Sequence, residues 1–361
     1  MKFVHIADMH FDSPFINLSE KDGFGDLRRL DQRKAFKKII EYIKENNIDY
    51  LFIAGDFYEH QYVKKSTIEY INNLFKEIPN TKIFISPGNH DPILKNSFYK
   101  KYIWNSNVKI FEPNLEKVEL EDVNIYGFGF DDFHIKNTEL KKIKIDDDSK
   151  LNVLVMHGSL NTVATEDMEY NEIKENELKA LGFDYVALGH IHKLYYNNYE
   201  NQRIVYPGST ISLGFDELGK HGMIVGDINK EKINLKFIPL DDKEFIKKNL
   251  DVTEIISKEE LVEKINELDI AENNFYEIIL CGYRNFEINI YELKKLITND
   301  RIIKIKDKTE VNYDLEKLAN ESTLKGLFVK NIKEKLNNEN INEEDKKILK
   351  KALEIGLNVL N

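Results

Sequence analysis

The sequence predicts an α/β fold in which two sheets, mixing parallel and antiparallel strands, pack face to face between helices. Three observations predict it. Apolar runs of strand length alternate with helical patterns up to about Leu188, the mark of layered α/β architecture. After Gly208 the texture changes to alternating hairpin patterns, which suits antiparallel strands better than a single doubly wound sheet. Side chains of metal-ligand type follow strand after strand, so the strands should end on a common side.

The elements can be taken in order. Lys2–Ile6 is a buried-strand run, as are Tyr50–Ile53, Lys82–Ile85 and residues 153–156 and 185–188. Between the first two, Ala35, Phe36, Ile39, Ile40 and Ile43 recur at helical spacing, leaving Lys37, Lys38, Glu41 and Lys44 for solvent. Ile68, Ile71, Leu74, Phe75 and Ile78 repeat the pattern before the third strand. Gly222–Ile228 and residues 233–238 form a hairpin joined near Asn229 and Lys230. Pro239 and the charged run from Asp241 to Glu244 mark the exit from this domain. Ser257-Lys258-Glu259-Glu260 is a capping box opening a helix with Leu261, Ile265 and Leu268 on one face. Residues 275–280 and 302–305 read as strands and 291–297 as a short helix. From Asn320 onward two amphipathic helical stretches carry Leu324, Leu327, Phe328, Ile332 and Leu336, then Ile348, Leu349, Leu353, Leu357 and Leu360. Residues 1–240, 241–318 and 319–361 are therefore expected to be a large α/β domain, a small α+β domain and a helical segment whose apolar faces would dock on a partner.

A formal charge of −11 argues against a surface that attracts nucleic acid everywhere, while leaving room for a local basic groove. Lys64-Lys65, Lys100-Lys101 and Lys141-Lys142 are candidate contributors. The single cysteine, Cys281, excludes an internal disulfide framework. The chain enters a strand directly after Met1, with no signal-peptide core and no apolar run of membrane-spanning length. A cytoplasmic protein without a membrane partner is expected.

Asp8 and His10 are two apart at a strand end, so a carboxylate and an imidazole point to one side and can grip one ion. Gly55-Asp56 offers two oxygens where a glycine permits close backbone approach. Pro87-Gly88-Asn89-His90-Asp91 places an amide, an imidazole and a carboxylate in one tight turn, His157 follows an apolar strand, and Gly189-His190-Ile191-His192 pairs two imidazoles. Taken singly, a Gly-Asp turn or a lone histidine is more often structural. Joint occurrence decides otherwise, since five of the nine histidines fall in these clusters.

The series DMH, GD, GNHD, MHG and GHIH resembles the signature of the calcineurin-like metallophosphoesterase superfamily. GNHD, the early second motif and the Gly-Asp-Phe-Tyr context resemble its SbcD/Mre branch of DNA-repair nucleases, and the stretches 323–329 and 352–357 resemble YhaO-type bacterial members of that branch. The resemblance implies a four-layer α-β-β-α sandwich with the small α+β capping domain and C-terminal helices described above. It implies one metal held by Asp8, His10, Asp56 and His192, a second held by Asp56, Asn89, His157 and His190, and Asp56 as the bridge. Oxygen and imidazole donors without thiolate fit a pair of Mn2+ ions, with iron, zinc and magnesium compatible with the same ligand types. His90, not needed as a ligand, is assigned to the leaving group, with Asp91 orienting its ring. Some nuclease relatives carry a substrate-seating histidine three residues after the bridging aspartate. Here Glu59 has that spacing and His60 follows it, leaving His60, Arg28 and Arg29 as candidate substrate contacts and Arg33 beside them. His5, His134 and His221 are expected to be structural or surface residues.

The implied activity is Mn2+-dependent cleavage of DNA, as an exonuclease or endonuclease in repair, beside an SbcC-like coiled-coil ATPase and with a homodimer as an option. The alternatives are a small-molecule phosphomonoesterase or cyclic-nucleotide phosphodiesterase, and a non-catalytic scaffold for the ATPase.

Overall fold

The computed structural model describes residues 1–15, 18, 23–133, 139–161, 172–196, 202–311, 315–338 and 341–360. His134 lies outside them. The chain divides into two compact units, Met1–Ile246 and Lys247–Asn361.

The first unit is a sandwich of two sheets. In the six-stranded sheet β1 (Lys2–Ile6), β2 (Tyr50–Ile53), β3 (Lys82–Ile85) and β4 (Val108–Ile110) run parallel. The other sheet has five strands: β5 (Glu116–Glu119), β6 (Val123–Gly127), β7 (Leu151–His157), β10 (Tyr185–Gly189) and β11 (Ile204–Val205). A separate two-stranded pair, β8 (Ser159–Leu160) and β9 (Glu172–Ile173), lies between β7 and β10 in sequence. β12 (Gly222–Ile228) and β13 (Ile233–Pro239) form the expected hairpin and join the first sheet antiparallel to β1. The strand orders are β13-β12-β1-β2-β3-β4 and β11-β10-β7-β6-β5.

Period-two patterning explains the interior. Phe3, Phe52, Phe84 and Ile224 from one sheet meet Ile125, Val153, Tyr185 and Ala187 from the other in one buried cluster. Phe3 stands 4.5 Å from the Tyr185 ring and 5.3 Å from Phe52. The outer face of the first sheet is covered by α1 (Phe24–Asn46) and α2 (Lys65–Lys76), whose Phe36 and Phe75 pack on Phe57. α1 buries the five residues predicted from its spacing and ends on Asn47 in the left-handed conformation. The outer face of the second sheet packs Leu154, Met156, Val186 and Leu188 against Leu178 of α4 (Glu175–Ala180), Leu140 of a short 3-10 segment (Glu139–Lys142) and Ile143 just after it. The short α3 (Phe98–Lys101) follows β3. Four layers result, as the resemblance implied.

The second unit holds a three-stranded sheet, β14 (Phe245–Asp251), β15 (Phe275–Cys281) and β17 (Ile302–Asp307), with α5 (Lys258–Asn266) and α6 (Ile290–Leu296). Ser257 caps α5 by accepting from the Glu260 N–H, and the Glu260 carboxylate reaches back to the Ile256 N–H. β16 (Tyr283–Arg284) pairs with β18 (Glu310–Val311). α7 (Leu315–Ala319), α8 (Leu324–Leu336) and α9 (Glu343–Leu360) follow, and Val329 and Ile332 of α8 pack with Leu353 and Leu357 of α9. Among the described residues no helix is long and apolar enough to cross a membrane.

A buried polar tie in the interior of the sandwich joins the sheets: His5 Nδ1 lies 2.9 Å from the Tyr185 hydroxyl. Burial pushes His5 down to about 3. Because the unfolded chain takes up this proton near pH 6.5 and the folded one does not, stability should fall as pH drops from about 6.5 towards 3, by up to about 1.4 kcal/mol per pH unit. In urea titrations with chelator present, His5→Leu should flatten that acid slope, and an unchanged slope would contradict the assignment.

Candidate metal centre

Each signature residue sits where a strand of the sandwich ends. Asp8 and His10 follow β1, Asp56 follows β2, Asn89 and His90 follow β3, His157 closes β7, and His190 and His192 follow β10. Backbone bonds join these ends: the Asp8 N–H donates to Gly55 O (3.1 Å), the His10 N–H to Asp56 O (2.9 Å) and the Gly158 N–H to Gly189 O (3.1 Å). Asp8, His10, Asp56 and His190 all have left-handed backbone, with φ of 49°, 48°, 50° and 103°, a conformation costing about 1–3 kcal/mol per residue that clusters at functional sites. Two glycines make the close approach possible. A Cβ at Gly55 would lie 2.3 Å from His157 Nδ1, and one at Gly88 2.3 Å from Asp56 Oδ1.

Among the described residues three groups of ligand-type atoms converge: two share Asp56, and a third, His10, Glu59 and His90, lies at the rim. Asp8, His10, Asp56 and His192 form one of the two that share Asp56, and Asp56, His157 and His190 the other, with Asn89 Oδ1 3.0 Å from His157 Nε2 and 3.2 Å from His190 Nδ1. Asp56 belongs to both. Its Oδ1 accepts the His90 N–H (2.8 Å), while Oδ2 faces His157 Nε2 at 3.3 Å and His10 Nε2 at 3.8 Å. Asp8 lies under the first set, accepting the His190 N–H at 3.0 and 3.1 Å.

The tautomers test whether cations fit. His10 Nδ1 is 2.8 Å from Glu59 Oε1, and His192 Nδ1 is 2.5 Å from Glu217 Oε1, so in each ring the proton belongs on Nδ1 and Nε2 carries a lone pair. Those two Nε2 atoms stand 3.1 Å apart. His157 Nδ1 likewise donates to Ala54 O (2.9 Å), aiming the Nε2 lone pair at the oxygens of Asn89 and Asp56. Acceptors facing acceptors at such distances call for positive charge between them. Without cations, protons serve: burial opposes charge on His157 and His192, yet Asp56 holds the first at about 9 and Glu217 the second at about 10. With two carboxylates, of which Asp56 is common to both sets, an amide oxygen, four imidazoles and no thiolate, the donors fit two divalent ions.

His90 stands at the rim with 46% of its side chain exposed. Its ring is oriented by Glu59, whose Oε2 lies 3.0 Å from His90 Nδ1 while Oε1 serves His10. Burial opposes charge on His90, but the Glu59 hydrogen bond and the charges of Asp56, Glu59 and Asp91 push it up to about 9. The orienting role expected of Asp91 therefore falls to Glu59. Asp91 is fully buried and accepts from the backbone N–H groups of Asp56 (3.1 Å), Phe57 (2.7 Å) and Gly88 (2.6 Å) and from the Tyr99 hydroxyl (2.6 Å). It locks the turn after β2 to the turn after β3.

Three candidate substrate contacts also resolve. Arg28 is fully buried, bonded to Asp241, Asp31 and Ser212 O, and unavailable to a substrate. Arg29 is partly exposed and bonded to Asp26 and Ser13 O, while Arg33 is bonded to Asp12 and Thr67. His60 neighbours the rim, its N–H donating to His90 O (2.9 Å) and its ring edge-on to Phe133. His221 is buried against Ser209 and Glu217 O, a structural histidine. Motif reading misses the carboxylates behind the ligands. Glu59 has a positional signal in its spacing from Asp56, whereas nothing near Glu217 marks it.

Comparison with known proteins places the site in a family. The calcineurin-like phosphoesterase profile matches residues 1–194, and the chain belongs to that family, whose members are hydrolases that use a divalent metal pair. Among curated relatives, the uncharacterized metallophosphoesterase YhaO of Bacillus subtilis is 25% identical over 264 residues, covering 70% of this chain and 64% of YhaO, less than two thirds of its length. The SbcD subunit of nuclease SbcCD from Staphylococcus epidermidis is 26% identical over 333 residues, covering 83% and 84% of the two chains. The DNA double-strand break repair protein Mre11 of Archaeoglobus fulgidus is 30% identical over 246 residues, covering 61% and 52%.

The division of labour between Asp91 and His90 is measurable by urea denaturation. Asp91→Ala strips three backbone donors of their acceptor and should lower stability by about 3 kcal/mol or more. His90→Ala, at the exposed rim, should stay within about 0.5 kcal/mol of wild type. Equal effects would contradict the separation of roles.

Proposed function

We propose that this protein is a two-metal phosphodiesterase that cleaves DNA, a nuclease of the SbcD/Mre type. The observation that carries the reading is the pair of ligand sets sharing Asp56, with His90 outside both at the exposed rim. Asp8, His10, Asp56 and His192 would hold one ion, and Asp56, Asn89, His157 and His190 the other. When bound, two divalent cations, Mn2+ by preference, supply charge to phosphate oxygens and acidify the attacking water. His90 donates a proton from Nε2 to the leaving oxygen while Glu59 holds Nδ1. Asp91 keeps both turns in register so that Asp56 and His90 stay aligned.

Relatives named as a nuclease subunit and as a DNA double-strand break repair protein support the DNA assignment. We assign residues 241–318 to selecting an extended strand and residues 319–361 to docking on an SbcC-like ATPase. Leu324 (71%), Leu327 (66%), Ile348 (59%) and Val359 (79%) leave α8 and α9 with exposed apolar side chains. A second reading, a small-molecule phosphoesterase, is favoured by one observation. The chain carries a formal net charge of −11, whereas binding a DNA backbone calls for clustered Lys or Arg.

Purified protein with Mn2+ should cleave single- or double-stranded DNA and a chromogenic diester, and His90→Ala should lose about 10^2- to 10^4-fold in rate. Turnover of a chromogenic monoester with no DNA cleavage would transfer the assignment to the second reading. Full activity in His90→Ala would remove its role as acid.

A further inference from the structure

The second unit holds a cavity of about 480 Å³ lined by both ammonium groups and apolar side chains. Lys308, from the turn after β17, and Lys347, Lys350 and Lys351 of α9 line it against a single carboxylate, Glu310. Lys350 pairs with Glu310 at 2.9 Å, while no carboxylate stands within ion-pair distance of Lys308 or Lys347 among the described residues. Glu343, one turn before Lys347, pairs with Lys346 instead (2.8 Å). Positions 347, 350 and 351 share one face of the helix, where like charges three and four residues apart repel. In a chain of net charge −11 this is a local excess of positive charge that a bound anion would relieve.

The rest of the lining is held in place by the backbone. Tyr283, half exposed, donates its N–H to Thr253 Oγ1 (3.1 Å) and lies opposite Glu310 where β16 pairs with β18. Gly282 before it has a left-handed φ of 85°, and a Cβ there would collide with the Asp251 carboxylate, so the turn that presents the Tyr283 ring is closed. The turn carrying Lys308 is tied as firmly: the Thr309 N–H and hydroxyl both donate to Asp307 Oδ1 (2.8 and 2.6 Å), and the Lys308 N–H donates to Leu280 O (2.9 Å). Leu315, Leu336 and Leu353 add apolar surface, with Leu353 anchored among Val329, Ile332 and Leu357. An aromatic ring, an apolar floor and ammonium groups in one cavity of this size match a phosphate ester that carries a planar ring system. A bare inorganic anion would leave the apolar part uncovered.

We propose that this cavity binds a free nucleoside phosphate, the base lying on the Tyr283 ring and the leucine floor and the phosphate held by Lys308, Lys347 and Lys351. Lys350 stays with Glu310 as part of the wall. Every base has a face that can stack, so the site selects for a phosphate joined to a planar ring and not for one base. All of its residues belong to the second unit, and none is a ligand-type residue of the metal centre, so binding needs no cation at the strand ends.

The test is fluorescence anisotropy of ADP labelled on the ribose with N-methylanthraniloyl, titrated with the chelator-treated full chain and competed with unlabelled ADP, adenosine and inorganic phosphate. Binding should saturate and be displaced by ADP, and far less well by adenosine or phosphate alone. Lys347→Glu, at an exposed helix position, should weaken binding by about 10-fold or more, and Tyr283→Ala by about 10-fold. His90→Ala should bind as wild type does. Absence of saturable binding at millimolar protein or nucleotide, or binding that both cavity variants leave unchanged, would overturn the proposal. Loss of binding in His90→Ala would move the nucleotide to the metal centre and overturn it as well. Equal displacement by phosphate and by ADP would overturn the stacking role of Tyr283, and displacement by a single-stranded oligonucleotide at far lower concentration than ADP would overturn the assignment to a free nucleotide.

Discussion

Where the strand ends of the two sheets meet, nitrogens and oxygens that can only accept hydrogen bonds are held face to face. His10 and His192 aim lone pairs at each other across 3.1 Å because Glu59 and Glu217 occupy the other side of each ring. His157 aims at Asn89 and Asp56 because Ala54 O takes its only proton. Such an arrangement is unstable in isolation, since buried acceptors without donors are costly. Positive charge resolves it, as protons on the rings or as cations between them. The rest of the first unit serves to keep the conflict in place.

The sandwich does so by distributing the ligands over both sheets. Asp8, His10, Asp56 and Asn89 leave the ends of β1, β2 and β3, while His157, His190 and His192 come from β7 and β10, so the centre closes only when the sheets pack. The aromatic and aliphatic interior between the sheets supplies that packing. It also carries the backbone strain of four left-handed residues at the site. Asp91 and the Glu217 loop then remove the remaining freedom, one by tying two turns together and the other by aiming a ring.

This division explains what can be read from the sequence. The ligand-type residues are legible because they follow strongly apolar strands whose period-two pattern survives in the linear order, and the amphipathic helices α1 and α2 are legible for the analogous reason. Strands β4 and β5 escape the sequence reading because they are short and only partly buried, and β6, as long as β1, because Asn124 interrupts its apolar run. β14 is an edge strand with Lys247 and Lys248 side by side, so it reads as a surface segment. For Asp91 the sequence suggests the wrong partner. Adjacency points to His90, whereas the turn geometry directs the carboxylate inward to three backbone N–H groups. Glu217 is illegible because its relation to His192 exists only after the loop folds back over 25 residues, and Arg28 reads as a phosphate contact because burial of an arginine leaves no trace in its neighbours.

At this centre protons and cations compete for the same lone pairs. Calorimetric titration of the chelator-treated chain with Mn2+ at pH 7, repeated in buffers of different ionisation enthalpy, counts the protons released. With His157 and His192 held at about 9 and about 10, binding of two ions should release about two protons. Two ions bound with no proton release would contradict this account.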